Sequence, residues 1–320
     1  MFELEEYIPD NCKNISIPFD EENVKLVLSG IILGDIVGSR YETREFPKEY
    51  DWKTYRLLER GHSFTDDSVL SVASLEAVRK MMGKKKGFPK ALLSDKAAIK
   101  SFAVSYKKYA YLYPDCGFGG SFRGWAWDDE IRPPYESTGD GAAMRSGIIG
   151  AMFGRVDDVI RFAKNSAMPT HNSDEGIKGA IVTAVLVWMG LAGRSKGEMV
   201  KYAEKFYPPA EEPSRHFNPV YAALTTEELL ESENQKNKKF TTNALNCDTA
   251  VCLAVMNFRD TDSYEMCLRN CLRYPSDADT VMAISGGFAV AYYKDITFQD
   301  EDGRDIVKQM TNGLIGDNLK

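Results

Sequence analysis

The chain has 320 residues, of which 43% are hydrophobic and 27% charged, the balance of a globular protein with a sizeable core. Its net charge of −7 and the lack of a long basic run argue against a general nucleic-acid-binding protein. The first ten residues are too acidic for a secretory signal, and the most apolar early stretch, 24–37, is too short to span a bilayer. We therefore expect a cytoplasmic protein without membrane or nucleic-acid partners, whose six cysteines, none in a C-x-x-C pair, are free buried thiols.

Residues 1–22 are polar and show no periodicity, which predicts an N-terminal extension ahead of the folded domain. The next stretch, 29–38, predicts a helix in which Gly30, Gly34 and Gly38 lie four residues apart and therefore on one face. A face of glycines lets another backbone approach closely. We expect a tightly packed central helix here, despite the low helix propensity of glycine.

Helical apolar spacing recurs along most of the chain, with few runs of period two and no internal repeat. The predicted helices cover 69–78, 95–110, 141–153, 156–166, 173–193, 196–205, 245–257, 262–273 and 280–293. Loops rich in glycine, proline and aromatic residues are predicted at 111–140 and 206–222. These elements predict a single all-α domain over residues 23–320, built as a compact multi-helix bundle.

Two short acidic segments stand directly before predicted helices. Their oxygen-bearing residues are Thr65, Asp66 and Asp67 in the first and Asp277, Asp279 and Thr280 in the second. Threonine and aspartate are common at helix starts, so capping alone explains either segment. A cap needs one oxygen, however, and each segment offers two carboxylates and a hydroxyl, which are ligands of hard divalent cations. If the segments meet in space, a cation would be needed to offset the repulsion of four carboxylates.

Seven motifs, in this order along the chain, resemble the ADP-ribosylglycohydrolase family, which includes the dinitrogen-reductase-activating glycohydrolase. They are GDIVGSRYE (34–42), FTDDS (64–68), GGSFRGW (119–125), GDGAAMR (139–145), THN (170–172), EGIKGA (175–180) and DADT (277–280) with AYY (291–293). The resemblance covers residues 24–295, and each motif is weak alone. It is the seven in register that identify the family.

The resemblance implies an all-α orthogonal bundle with two Mg²⁺ or Mn²⁺ ions. Carried over residue by residue, it implies metal ligation by Thr65, Asp66, Asp67, Asp277, Asp279 and Thr280. Glu42 matches the family's catalytic glutamate and would act as a general base on water. Asp35 matches an aspartate near the same site. Without the resemblance, Glu42 is simply an exposed glutamate at a helix end.

The 139–145 turn matches the family's loop around the ADP-ribose phosphates. The implied substrate contacts are Gly139, Asp140, Gly141, Ala142 and Met144, with His171 beside the bound ligand. Glycines suit this role because they let backbone N–H groups approach an anion. From the residues alone, a helix-capping turn is an equally good interpretation of 139–145, and a hydrogen-bonding loop histidine is the better interpretation of His171.

The chain departs from the family pattern at several positions. Ser68 replaces threonine, Pro275 and Ser276 replace glycines, Asp140 replaces asparagine, and Cys-Asp-Thr at 247–249 replaces Cys-Gln-Gly. Asp140 adds a negative charge beside the expected phosphates, which is unfavourable unless its side chain turns away or meets Arg145. These changes bear on the substrate more than on the metal site.

The implied reaction is hydrolysis of the C1″ glycosidic bond of an ADP-ribosylated protein or small molecule, with release of ADP-ribose. The resemblance points first to an arginine linkage on protein. Three alternatives remain: a hydrolase of O-linked or small-molecule ADP-ribose, a catalytically weak ADP-ribose-binding protein, and an interaction protein. The last would neutralise an ADP-ribosylating toxin, or protect its target, through residues 1–22.

Overall fold

The computed structural model describes residues 4–41, 51–58, 62–82, 94–130, 132–208, 245–273 and 276–296. The eleven α-helices within these ranges are α1 (Glu21–Gly38), α2 (Asp66–Met82), α3 (Asp95–Leu112), α4 (Gly120–Ala126), α5 (Gly141–Met144), α6 (Val156–Ala167), α7 (Asp174–Leu191), α8 (Lys196–Glu204), α9 (Cys247–Arg259), α10 (Tyr264–Cys271) and α11 (Ala278–Tyr293). Two 3-10 helices, Leu4–Tyr7 and Gly147–Ala151, accompany them. The prediction of an all-α fold is confirmed.

The centre of the bundle is the pair of helices α1 and α11, with α7 packed against α11. Both α7 and α11 are apolar around most of their circumference, as expected for helices with no solvent-facing side. Helix α6 instead has one apolar face, on which Val159, Ile160 and Phe162 are buried. The central helices therefore owe their positions to burial on all sides.

The glycine face of α1 rests directly on the backbone of α11. A Cβ atom at Gly34 would overlap the Met282 carbonyl, and one at Gly38 would overlap the Cα of Asp279. Nearby, the Tyr264 hydroxyl donates to the Gly30 carbonyl at 2.7 Å. The prediction of a closely packed glycine face is confirmed, and the contact brings the end of α1 to the start of α11.

Three predicted boundaries are wrong. The first helix begins at Glu21 rather than near 29, because the Asp20 side chain caps it by accepting from the Glu22 amide at 3.0 Å. The stretch 141–153 is not one helix, since α5 ends at Met144 and a 3-10 helix follows. Within the predicted loop 111–140, the short helix α4 forms and buries Phe122 and Trp125.

The described part of the N-terminal segment lies on the helices. The Tyr7 ring stacks on Phe206 at 4.6 Å between centroids, Cys12 is fully buried, and the Ile17 amide donates to the Gly154 carbonyl at 3.0 Å. The boundary drawn after residue 22 stays a prediction. In the described part of the chain, no helix is both long and apolar enough to cross a membrane. All six cysteines are free, and five are buried, with Cys116 half-buried.

We predict that Gly34→Ala destabilises the protein strongly. The added methyl meets a backbone carbonyl that cannot rotate away, so the free energy of unfolding should fall by ~1–3 kcal/mol or more. Gly197→Ala is the matched control, because Gly197 lies in helix α8 with no atom near its Cβ position. That change should alter stability by less than ~1 kcal/mol. Urea unfolding measures both, and equal small effects would contradict the close helix contact.

Candidate active site

Asp35 is a fully buried carboxylate in the last turn of α1. Its Oδ2 atom accepts from the Thr65 amide at 2.9 Å, from the Ser68 amide at 3.0 Å, and from the Ser68 hydroxyl. Its Oδ1 atom accepts from the Thr65 hydroxyl at 2.7 Å. Asp35 thus ties the end of α1 to the start of α2, and the serine at 68 supplies one of its donors.

The two acidic segments meet beside Asp35. Carboxylate oxygens of Asp35, Asp67 and Asp279 all lie within 4.8 Å of one another. The Thr280 hydroxyl lies 3.4 Å from Asp67 Oδ2, and the Thr65 hydroxyl lies 3.2 Å from the same atom. The two acidic segments therefore lie together, which their spacing along the chain did not establish. Their contact joins α1, α2 and α11 at one point.

Capping explains little of these two segments. Elsewhere in the described chain, six helices begin with a side chain that accepts a backbone N–H: Asp20, Ser94, Ser173, Ser195, Asn246 and Ser263. Asp277 holds the capping position of α11 but makes no capping bond. The Thr65 hydroxyl points to the carboxylates of Asp35 and Asp67. These oxygens are directed toward the cluster rather than toward the helix ends.

Burial and the neighbouring charges both favour the protonated form of these carboxylates. Burial, followed by the charge of Asp279, raises the pKa of Asp35 to about 7. The same two causes raise the pKa of Asp66 and Asp67 well above the usual range. Burial and then the charge of Asp140 raise the pKa of Asp277 in the same direction. The cluster therefore resists carrying its full negative charge at neutral pH.

The donor set fits a hard divalent cation. Every candidate ligand atom is a carboxylate or hydroxyl oxygen, which Mg²⁺ and Mn²⁺ prefer. Asp67 Oδ1 is buried and has no hydrogen-bond partner among the described residues, a costly state for a carboxylate oxygen. No Lys or Arg of the described residues donates a hydrogen bond to Asp35, Asp67 or Asp279. A bound cation would satisfy the oxygen and offset the repulsion.

The 139–145 turn lies beside the cluster, and the segment before α9 holds this turn and the residue that precedes it. The Asp140 amide donates to the Leu245 carbonyl at 3.2 Å, and the Cys247 amide donates to the Thr138 carbonyl at 3.0 Å. The Met144 sulfur lies 4.0 Å from the Thr280 hydroxyl. A Cβ atom at Gly141 would lie 3.1 Å from His171 Nε2, so the histidine ring edge faces this turn.

Asp140 adds its charge to the acidic cluster. Asp140 is buried. After burial, its charge is the main cause that raises the pKa of Asp277. Burial and the charges of other aspartates raise the pKa of Asp66 and Asp67, and Asp140 adds a smaller contribution. The expected alternative of a bond to Arg145 is not seen, because Arg145 donates to the Ser166 carbonyl at 3.1 Å and to the Thr170 hydroxyl at 2.8 Å. The Asp140 carboxylate thus belongs with the acidic residues.

A sequence model of ADP-ribosylglycohydrolase matches residues 18–297. The chain belongs to the ADP-ribosylglycohydrolase family. It is 30% identical over 198 residues to ADP-ribosylhydrolase ARH3 of Homo sapiens and 29% identical over 199 residues to that of Bos taurus. Each match covers 53% of this chain and 50% of the relative, so the chain spans about half the length of the curated relatives it matches.

A solved ADP-ribosylglycohydrolase-related protein complex has a similar fold, with a TM-score of 0.52 at 19% identity. The alignment covers 92% of this chain and 98% of that one. Of the residues expected at a family site, Glu42 and Pro275 lie outside the described residues. Sequence reasoning missed the Lys178–Asp248 ion pair, 2.8 Å long, beside the turn. Its only sequence signal is Asp248 at a position where the family has glutamine.

We predict that Mg²⁺ or Mn²⁺ raises the melting temperature of the wild-type protein and that Asp67→Asn removes most of this rise. The metal-free variant should be at least as stable as the wild type, because asparagine relieves the carboxylate repulsion and can still accept the two threonine bonds. Asp157→Asn is the control, since Asp157 is also an acidic residue in a first helical turn but pairs with Arg155. Equal metal stabilisation of both variants would contradict the site.

We further predict that metal stabilisation grows with pH. An aspartate with an unfolded pKa of roughly 3.9 and a folded pKa of about 7 stabilises the fold below the lower value and loses this contribution as pH rises through the higher one. The metal-free protein should therefore weaken between pH 5 and 8, while a cation competes better as protons leave. Melting curves at several pH values, with metal and with EDTA, measure this. A metal shift that is larger at pH 5 would refute it.

Proposed function

We propose that this protein is a metal-dependent hydrolase that cleaves the C1″ glycosidic bond of ADP-ribosylated substrates and releases ADP-ribose. The observation that carries the proposal is the convergence of Asp35, Asp67 and Asp279 within 4.8 Å, beside a glycine turn and a buried histidine. Family membership supports the reaction class, and the relatives named ADP-ribosylhydrolase are consistent with it.

The proposed ligands of two Mg²⁺ or Mn²⁺ ions are Thr65, Asp66, Asp67, Asp277, Asp279 and Thr280. Bound there, the ions would supply Lewis-acid chemistry, orienting the ribose hydroxyls and stabilising charge as the glycosidic bond breaks. Asp35 accepts two backbone and two side-chain donors and therefore suits the role of holding α2 in register. Its proposed part in catalysis is to position Thr65 and its neighbours.

The turn is proposed to bind the phosphates through its backbone. Within the described residues, the amides of Gly141 and Ala142 have no acceptor, as is normal for the first residues of a helix, whereas the Asp140 amide is taken by Leu245. Gly139 permits the close approach, and Ala142 and Met144 line the inner side, both buried. The Asp140 carboxylate adds its charge to the acidic cluster, where the proposed cations would offset it.

The proposed general base is Glu42. Tyr41, the residue before it, is buried and donates from its hydroxyl to the Arg56 carbonyl at 2.6 Å. This bond anchors the chain just past α1, whose last residue, Gly38, contacts Asp279. A glutamate with an ordinary pKa is ionised at neutral pH and suits the removal of a proton from attacking water.

The bond to be cleaved is proposed to be the N-glycosidic linkage to arginine, with O-linked and small-molecule ADP-ribose as competing substrates. A panel of ADP-ribosyl-arginine, ADP-ribosyl-serine and O-acetyl-ADP-ribose separates them when assayed with Mg²⁺, Mn²⁺ and EDTA. We expect release of free ADP-ribose that needs metal and is fastest from arginine. Turnover of serine conjugates alone would reassign the linkage.

We predict that Asp279→Asn lowers kcat by ~10²-fold or more, because it removes a ligand from the charge-stabilising centre. Glu42→Gln should keep metal stabilisation and lose rate, whereas Asp157→Asn should keep both. Full activity of Asp279→Asn would contradict the metal assignment. ADP-ribose binding by a wild-type protein without turnover on any substrate would mark a binding protein instead.

A further inference from the structure

Arg145 is a buried cation that contacts an aromatic ring and neutral oxygen acceptors. Its guanidinium lies 4.2 Å from the centroid of the Tyr106 ring. The two protons of Nη2 go to the Ser166 carbonyl at 3.1 Å and to the Thr170 hydroxyl at 2.8 Å. An arginine cannot accept a hydrogen bond, so the Thr170 oxygen must be the acceptor in the second contact.

The Thr170 hydroxyl also lies 2.7 Å from His171 Nδ1. A hydroxyl has one proton and two lone pairs. Arg145 fills one lone pair, and in the described part of the chain Nδ1 is the acceptor within hydrogen-bond distance for the proton of this fully buried hydroxyl. The remaining proton is then directed to Nδ1, which must be the unprotonated nitrogen of the ring.

The ring itself is neutral and fixed. Burial and then the charge of Arg145 lower the pKa of His171 well below its usual value. The His171 amide donates to the Ala167 carbonyl at 2.8 Å. Gly176 packs closely against the same residue, since a Cβ atom at Gly176 would lie 2.7 Å from His171 Cβ. A neutral ring with unprotonated Nδ1 carries its proton on Nε2.

Nε2 is the nitrogen that faces the turn at Gly141, and no described protein group bonds to it. We propose that Arg145 and Thr170 are positioning residues that hold His171 in its Nε2–H tautomer, so that it donates a hydrogen bond to a phosphate oxygen of the bound ADP-ribosyl group. This inference rests on the proposed function for the identity of the ligand. The opposite tautomer would turn a lone pair toward an anion, which repels it.

Histidine ¹⁵N NMR tests the proposed tautomer of His171 directly. The chain has three histidines, and His171→Gln identifies the signal. His62 is an internal reference of opposite kind, because its Nδ1 lies 2.9 Å from the Ile36 carbonyl, which can only accept. At neutral pH we expect a protonated Nε2 for His171 and a protonated Nδ1 for His62. A protonated Nδ1 on His171 would overturn the proposal, whatever the variants do.

Thr170→Val keeps the side-chain shape and removes the hydroxyl, and Thr170→Ser restores it. We expect the valine variant to lose the fixed tautomer and to bind ADP-ribose ~10-fold more weakly, as when a hydrogen bond to a charged group is weakened, with both properties restored by serine. An unchanged His62 signal verifies the fold. Full affinity for ADP-ribose and an unchanged tautomer in the valine variant would refute the positioning role of Thr170. If the wild type binds no ADP-ribose, the proposed function and the donor role fall together, while the wild-type spectrum still decides the tautomer.

Discussion

The contact between the glycine face of α1 and the backbone of α11 sets the positions of the buried carboxylates at the end of α1 and the start of α11. Asp35 follows Gly34 on one helix, and Asp279 supplies the Cα atom against which Gly38 rests on the other. Any side chain at either glycine would push the two helices apart. Because rigid packing keeps Asp35 and Asp279 together, carboxylates that repel one another remain within a few ångströms.

That arrangement sets stability against chemistry. Several carboxylates share one buried site, and burial together with their mutual repulsion raises the pKa of four of them. Donors from Thr65, Ser68 and Thr280 offset part of the cost but leave Asp67 Oδ1 without a partner. A cation is the one addition that would satisfy this oxygen and neutralise the cluster at once, so the least favourable part of the fold is also its best candidate for function.

The features that depend on local sequence pattern could be predicted from the sequence. Helical periodicity, the four-residue glycine spacing and the two acidic helix starts are all local, and all correspond to the structure. The division of 141–153 was hidden, since this stretch packs across the bundle, where a Cβ atom at Gly150 would overlap the Ala184 carbonyl. The place of Asp35 at the base of the cluster, and the chain from Arg145 through Thr170 to His171, were equally hidden, because each joins side chains by contacts that spacing does not encode.

The glycine turn lies beside the acidic cluster, where the Met144 sulfur is 4.0 Å from the Thr280 hydroxyl. The charge of Asp140 adds to that of the acidic residues, while the amides of Gly141 and Ala142 have no acceptor within the described residues. The proposed ADP-ribosyl ligand offers a diphosphate to these amides and a ribose to the proposed cations. The departure at Asp140 from the family pattern is therefore compatible with an ADP-ribosyl ligand.

The central claim is that these buried carboxylates bind divalent cations. The most direct measurement is an anomalous difference map from crystals of the protein grown with Mn²⁺. We predict peaks among the carboxylates of Asp66, Asp67, Asp277 and Asp279, above Asp35. Crystals that contain Mn²⁺ only at exposed carboxylates, such as Asp10, would contradict the account.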